Sequence, residues 1–140
     1  TLAALVDQPL ESGEGPDSYN MLPAFTGTPK KPIRNMLVIS PNSPDHLSLR
    51  KGKWMYIDAQ GGGGFGASEV GAHALGGPGA FPFTGQHNSD IENGKIKDDA
   101  PPAQLYNLEE DLAESTNLYE KHPKIVKEME GILKEIRGDN

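Results

Sequence analysis

Residues 47–57 read LSLRKGKWMYI, and this stretch decides the fold. Leu47 and Leu49 alternate with polar residues, which is the period-2 pattern of a half-buried strand. A tight turn follows, with Gly52 at its second central position, where a positive φ is required. Residues 54–57 are rich in aromatic and β-branched side chains and return as the partner strand. The stretch therefore predicts an antiparallel hairpin.

Two further segments extend this hairpin into a sheet. Residues 36–39 read MLVI, a compact β-prone run that predicts a buried strand. Residues 104–108 read QLYNL and predict one more short strand.

The strongest helical signal in the chain lies near its end. Pro123 suits the first turn of a helix, and Gly138 suits its C-terminal stop. Between them the apolar residues fall on one stripe at helical spacing: Ile125, Val126, Met129, Ile132, Leu133 and Ile136. This pattern predicts an amphipathic helix packed on one face of the sheet.

The first 35 residues predict short helices and loops. Residues 1–7 form an apolar helical stretch without an N-cap before it, so we expect a helix that begins upstream and a chain that is a fragment. Residues 11–17 are polar and turn-rich. A short helix is expected through residues 20–22, with Pro23 limiting its length.

The segment from residue 60 to residue 103 has a different composition. It contains four consecutive glycines, seven further ones and a Pro-Pro pair. Glycine loses much conformational entropy when it is ordered, so this composition predicts a long, partly mobile surface loop.

These elements together predict an α+β fold. A small antiparallel sheet of three to four strands packs against a C-terminal amphipathic α-helix, and a long Gly-rich loop interrupts it. The expected organisation is a connecting segment at residues 1–35, a β-hairpin region at 36–59, a Gly-rich insertion at 60–103, and the final strand and helix at 104–140. One helix covers only one face of an antiparallel sheet, so the other face is expected to meet something outside this chain.

Composition excludes several classes of function. The net charge of −7 over 140 residues disfavours nucleic-acid binding, which needs a clustered basic surface. No apolar run approaches the roughly 18 residues of a membrane span. The absence of cysteine excludes disulfides, thiolate metal sites and a thiol nucleophile.

Two motif matches fail on context. Gly61-x-Gly63-x-x-Gly66 fits the dinucleotide pattern, but the residues after it are too rich in glycine for the helix that would hold a pyrophosphate. The acidic segment at residues 109–114 lacks the glycine and terminal glutamate of a calcium-binding EF-hand loop. A solvated acidic turn explains that segment better.

The histidines give the few candidate site residues. His46, His73, His87 and His122 have no metal-ligand spacing. His46 lies on the polar side of a strand, where a solvated imidazole is expected, and if that side faces a cleft then His46 and Arg50 can contact an anionic substrate. His87 lies in the Gly-rich loop, and such loops often serve binding sites. The candidate substrate-binding residues are therefore His46, Arg50 and His87, with no catalytic residue and no metal ligand.

Five segments, in this order, resemble the C-terminal portion of the formylglycine-dependent sulfatases. TLAAL (1–5) resembles the end of the family's PTLAALAG helix, and DSYNMLP (17–23) with Gly27 resembles its DG-S-LLP-L-G segment. LRKGKWMYI (49–57) is similar to the IR-G-WK-I hairpin, and QLYNLEEDLAESTNL (104–118) to ELYDL--DP-E--NL. The helix after His122 matches the closing helix of the family. The resemblance covers residues 1–59 and 104–137 and leaves out the Gly-rich insertion.

This resemblance implies an accessory domain of a sulfate-ester hydrolase. In the family, a formylglycine made from a C/S-x-P-S-R motif acts beside a Ca²⁺ ion, and both belong to an N-terminal catalytic domain that precedes the segment matching residue 1. This chain has neither a cysteine nor that motif, so it is expected to be inactive alone. The resemblance further implies that the chain packs on that domain, helps to line the cleft for a sulfate ester, and is periplasmic or secreted.

An alternative is a freestanding protein- or carbohydrate-binding module without catalytic activity. Aromatic side chains serve as stacking surfaces for bases and sugars, and Trp54, Tyr56 and Tyr106 are the candidates here. An upstream C/S-x-P-S-R segment in the gene would exclude the module, whereas tight binding of a defined ligand by the isolated chain would make the accessory-domain interpretation incomplete.

Overall fold

A computed structural model describes residues 1–41, 46–61 and 77–138 of the chain. His73 and most of the four-glycine run lie outside the described residues. The chain divides into two compact units, Thr1–Asn35 and Met36–Asn140.

The first unit contains two short helices, α1 (Leu2–Leu5) and α2 (Leu22–Thr26). The helical stretch predicted at the start of the chain is confirmed. The position predicted for the second helix is wrong, since α2 begins at Leu22 and has Pro23 in its first turn. Proline lacks the N–H group that has no helical partner there, so it starts this helix rather than ending it. Neither helix buries a residue.

The second unit is built on a four-stranded antiparallel sheet, which confirms the predicted α+β fold. The strands of this unit are β1 (Met36–Ile39), β2 (Ser48–Lys51), β3 (Trp54–Ile57), β4 (Ile91–Glu92), β5 (Lys95–Ile96) and β6 (Gln104–Asn107). The main sheet has the order β1-β2-β3-β6, and β4 and β5 form a separate two-stranded hairpin.

The turn between β2 and β3 differs from the prediction by one position. Lys51 pairs with Trp54, so Gly52 and Lys53 are the two central residues. Gly52 is therefore first, not second, and its φ is +58°. A two-residue hairpin loop with glycine at the first central position suits the right-handed twist of the strands.

The core lies between the sheet and α4 (Pro123–Arg137). The residue row across all four strands on this face is Val38, Leu49, Tyr56 and Leu105. From the helix, the side chains that are buried in the same cluster are Val126, Met129 and Leu133. The proline in the first turn and the final glycine, here in the left-handed conformation, are confirmed. The predicted stripe is confirmed except at its end, where Ile136 is 48% exposed.

The strand β1 is more exposed than its sequence predicts. It stands at the end of the described sheet and pairs with β2. Met36, Leu37 and Ile39 are exposed, and Val38 alone is partly buried. The prediction of a buried strand is therefore wrong for this chain, because only one of its faces meets α4.

The second face of the sheet is half covered. One row on it runs Leu37, Arg50, Met55 and Tyr106. Tyr106, at the β6 end, is completely buried, while Leu37, at the β1 end, is 37% exposed. The expectation of a wholly uncovered face is thus wrong on the β6 side and right on the β1 side.

The covering segment comes from the predicted Gly-rich loop. A 3-10 turn at Pro78–Ala80, the helix α3 (Phe81–Thr84) and the β4–β5 hairpin lie within residues 77–103. Gly94 in that hairpin packs so closely on the 3-10 turn that a Cβ atom would lie 3.4 Å from the Pro78 carbonyl oxygen. The prediction of one long loop is therefore wrong for this part of the insertion.

Candidate functional site

The structure does not bring the three predicted substrate-binding residues together. Arg50 lies in the middle of β2, exposed on the uncovered half of the second face. Its Nε donates to the Gly52 carbonyl oxygen at 3.5 Å. His46 lies four residues earlier in the chain, before β2 begins at Ser48.

His46 is buried, so the prediction of a solvated imidazole is wrong. Its Nε2 lies 3.1 Å from the carbonyl oxygen of Gln60, and the Gln60 amide in turn donates to the Ala100 carbonyl at 2.8 Å. The His46 Nδ1 atom is buried without a hydrogen-bond partner among the residues that the structure describes. The ring therefore fixes the chain that leaves β3. A direct contact between His46 and a substrate would need this surrounding chain to move.

His87 is exposed and follows α3 directly. Gly85 ends that helix with φ = +70°, a left-handed conformation that glycine adopts without strain. The Thr84 hydroxyl donates to Oε1 of Gln86 at 3.2 Å. On α3 itself, the ring of Phe83 is 77% exposed. Of these exposed residues, His87 was predicted from the sequence as a candidate for substrate binding, and Phe83 and Gln86 were not.

The residues after His87 are fixed to the sheet by buried hydrogen bonds. The Asn88 amide donates to the Tyr106 hydroxyl at 2.7 Å and to the Glu114 carbonyl at 2.8 Å. The Tyr106 hydroxyl donates to Oε1 of Gln104 at 2.6 Å. Ser89 N–H donates to the Ser115 carbonyl at 2.8 Å. These bonds explain why a segment rich in glycine is ordered here.

Asn117 is the centre of this hydrogen-bond network. Its Nδ2 donates to Asp90 Oδ2 at 2.6 Å and to the Ala103 carbonyl at 3.1 Å. Its Oδ1 accepts from the backbone N–H groups of Leu105 at 3.0 Å and Tyr119 at 2.9 Å. One side chain thus joins the insertion, β6 and the segment leading to α4.

The acidic turn after β6 is closed by its own hydrogen bonds. Asp111 accepts from the N–H groups of Ser115 and Thr116, each at 2.8 Å. Burial acts to raise the pKa of Asp111, but these hydrogen bonds outweigh it and lower that pKa below its usual value. Burial, with the nearby Asp111 charge, raises the pKa of Glu114. Within residues 1–41, 46–61 and 77–138, no group of three His, Cys, Asp or Glu side chains could hold a metal ion.

Two of the three aromatic residues of the alternative module are not free to stack on a ligand. Tyr56 is 2% exposed and Tyr106 is fully buried, and burial raises the pKa of both hydroxyls. Trp54 is half-buried, with the His122 ring 5.1 Å and the Lys53 Nζ 5.3 Å from its centre. The interpretation of these rings as stacking surfaces for sugars is wrong for Tyr56 and Tyr106, which pack inside the fold, while Trp54 stays partly exposed.

None of the described helices has the length and apolar character needed to cross a membrane. No protein-family model matches the chain.

Known sulfatases are similar to this chain. An N-acetylgalactosamine-6-O-sulfatase from Bacteroides thetaiotaomicron is 28% identical over 137 residues, which is 98% of this chain and 22% of that protein. A solved sulfatase structure, described under the metabolism of multiple glycosaminoglycans by Bacteroides thetaiotaomicron, matches 99% of this chain and 23% of its own. That match has a TM-score of 0.64 and 26% identity. The chain thus spans about a fifth of the length of these sulfatases. Its resemblance to a C-terminal sulfatase subdomain, predicted from its motifs, is confirmed in sequence and in fold.

Proposed function

We propose that this chain is the C-terminal accessory subdomain of a sulfatase that hydrolyses sulfate esters, and that the catalytic residues lie in an N-terminal domain outside it. The observation that carries this proposal is the extent of the similarity, which covers 98% of the chain but 22% of the sulfatase. The chain itself has no cysteine and no C/S-x-P-S-R motif for a formylglycine.

Formylglycine and Ca²⁺, the groups that the resemblance implies, are proposed to belong to the N-terminal domain. The described acidic side chains do not converge on a common point, and Asp111 is engaged by hydrogen bonds within its own turn. The described part of this chain therefore does not fit a Ca²⁺ ion, and we derive no reaction step from its residues.

The uncovered half of the second face is the proposed contact with the catalytic domain. Leu37 and Ile39 are 37% and 40% exposed there, and the exposed Arg50 lies beside Leu37 in the same row. Burial of apolar area contributes roughly 25 cal/mol per Å², so a complementary surface on the catalytic domain would be stabilised by covering these side chains. A carboxylate opposite Arg50 would complete such a contact.

The first unit supports the same proposal. Leu2 and Leu5, which are three residues apart on α1, are 77% and 63% exposed. Leu10, after the helix, is 54% exposed. Neither α1 nor α2 buries a residue. A connecting segment of this kind gains stability when a neighbouring domain covers its leucines.

Arg50 separates two uses of the uncovered face, docking of the catalytic domain and contact with the substrate. In the longer protein, Arg50→Gln should raise KM with an unchanged melting temperature if the guanidinium contacts the sulfate of the substrate. A lower melting temperature with an unchanged KM would assign Arg50 to domain docking.

A 6-O-sulfated amino sugar is the substrate class we propose, since that is the group named for the similar sulfatase. We also propose a periplasmic or secreted location, which the resemblance to the sulfatases supports. Fractionation of the source cells would test the location directly.

The experiment for the main proposal is a sulfate-release assay on the longer protein that contains this chain. N-acetylgalactosamine-6-sulfate and an aryl sulfate are the substrates, and the 140-residue chain alone is the matched control. We expect the longer protein to release sulfate and the isolated chain to release none. Turnover by the isolated chain that survives repurification would contradict the proposal, as would a correctly folded longer protein that hydrolyses neither ester.

A further inference from the structure

We propose that the exposed side chains of Phe83, Gln86 and His87 form a sugar-contacting platform that determines specificity for the sulfated sugar. This inference rests on the proposed function and names the part of the chain that would meet the substrate. The five motif segments that carry the sequence resemblance leave these residues out, although the matches to the sulfatases cover 98% and 99% of the chain.

Phe83 provides the flat surface of the platform. Its ring is 77% exposed, although it lies on an ordered helical turn whose neighbour Pro82 fixes the backbone. The face of an aromatic ring carries partial negative charge and attracts the polarised C–H groups on the apolar face of a sugar. A phenylalanine loses little side-chain entropy in such a contact, because it has only two rotatable bonds.

Gln86 and His87, three and four residues after Phe83 and likewise exposed, provide the polar groups of the platform. The Thr84 hydroxyl donates to Oε1 of Gln86 at 3.2 Å, and the Gln86 N–H lies 3.4 Å from the same hydroxyl oxygen. This pair of contacts engages the amide oxygen and leaves the amide NH₂ as the group that Gln86 offers to a sugar hydroxyl. The exposed imidazole of His87 can donate an N–H to a sulfate oxygen.

The platform is held in place by hydrogen bonds to buried and partly buried residues. Asn88 follows His87 directly and bonds to the Tyr106 hydroxyl at 2.7 Å. Two residues further along, the Asp90 Oδ2 accepts a hydrogen bond from the Asn117 Nδ2 at 2.6 Å. A binding surface on a fixed backbone gives up less conformational freedom when the ligand arrives, so the network that orders the insertion also prepares the platform.

Leu112 shows what an exposed apolar residue without a binding role looks like. It is 82% exposed, slightly more than Phe83, but it stands between Asp111 and Ala113 in the acidic turn. Single exposed apolar side chains of this kind are common and need no ligand. An anionic sugar would be repelled by the carboxylates that flank Leu112 in the chain, whereas the polar side chains that follow Phe83 are a hydroxyl, an amide and an imidazole. Leu112→Ala is therefore the matched control for Phe83→Ala.

The test is an NMR titration of the 140-residue chain with N-acetylgalactosamine-6-sulfate, followed by kinetics of the longer protein. We expect chemical-shift changes in residues 83–87 and about a tenfold loss of affinity in Phe83→Ala. Phe83→Tyr should keep the affinity, and His87→Gln should weaken binding of the sulfated sugar more than binding of N-acetylgalactosamine. In the longer protein, Phe83→Ala should raise KM and leave kcat and the melting temperature unchanged.

Two results would overturn the platform. One is an unchanged affinity and an unchanged KM in Phe83→Ala. The other is a lower melting temperature with an unchanged KM, which would make Phe83 a packing contact with the rest of the protein. If the longer protein hydrolyses no sulfate ester, the proposed function fails, and the NMR titration still decides whether residues 83–87 bind the sugar.

Discussion

Replacing Asn117 by alanine removes four hydrogen bonds from the centre of the second unit. Two of them satisfy the backbone N–H groups of Leu105 and Tyr119, and one is a 2.6 Å bond to the Asp90 carboxylate. A buried N–H left without a partner costs about 1–3 kcal/mol, and a hydrogen bond to a charged group contributes about 1.5–3 kcal/mol. We therefore expect Asn117→Ala to lower the free energy of unfolding by about 4 kcal/mol, a large part of the 5–15 kcal/mol typical of a domain.

The assay is urea unfolding of the 140-residue chain, followed by fluorescence. Trp54 is the only tryptophan, and it lies in β3, so its emission reports on the sheet. Asn35→Ala is the control, because Asn35 is exposed and its replacement should change stability by less than about 0.5 kcal/mol.

A second variant at the same position tests the mechanism. Asn117→Asp keeps an oxygen to accept from the two N–H groups, but it places a second carboxylate against Asp90. Two adjacent carboxylates raise their shared pKa, so protonation favours the folded state. The deficit of Asn117→Asp should therefore be largest at pH 7 and shrink as the pH falls towards 4. A loss below about 1 kcal/mol in Asn117→Ala, or a pH-independent deficit in Asn117→Asp, would refute this reasoning.

Three further predictions follow from the described residues. Leu133→Ala should destabilise the chain by about 2–5 kcal/mol in the same urea assay, because its side chain is completely buried between α4 and the sheet. Gly94→Ala should lower the melting temperature, since its φ of +74° and the Pro78 carbonyl at 3.4 Å both oppose a Cβ atom; an unchanged melting temperature would argue against this packing. Asp111 has a lowered pKa in the folded state, so its contribution is present above its ordinary pKa of about 3.9 and is lost as the pH falls through the folded value. Asp111→Asn should then be less stable than the unsubstituted chain at pH 7. In unfolding measured as a function of pH, that difference in stability should narrow below about pH 4. The raised pKa of Glu114 has the opposite effect, since it favours the folded state as the pH falls.

The sheet and the closing helix could be predicted because their signals are local. The alternation of apolar and polar residues around Leu49 can be seen in neighbouring residues of the sequence. The same is true of the apolar stripe of the helix through Val126 and Leu133. The register then places Leu49 opposite Tyr56, on the face where α4 lies. The exposure of β1 could not be predicted, because it depends on which strands stand beside it rather than on its own four residues.

The order of the insertion was hidden by its composition. Glycine content predicts a loop when no long-range partner is known, and the partners of Asn88 and Asp90 lie 18 to 27 residues further along the chain. The Asn93-Gly94 pair, which stands between β4 and β5, is typical of a two-residue hairpin turn and could have predicted this hairpin. The candidate site was the least predictable part, because the exposure of a side chain depends on the residues packed around it. His46 is 7% exposed and Phe83 is 77% exposed, and their own sequence positions do not show this difference.

The strand β1 has a consequence for the behaviour of the chain in solution. In the described sheet, one of its two backbone edges has no neighbouring strand, and three of its four apolar side chains are exposed. An apolar edge of this kind is a template on which a strand of another molecule can add, and proteins usually protect such edges with charge or cover. The isolated chain should therefore self-associate through residues 36–39 as its concentration rises. Leu37→Lys should keep it monomeric, because a charged side chain on an edge strand opposes pairing with another molecule.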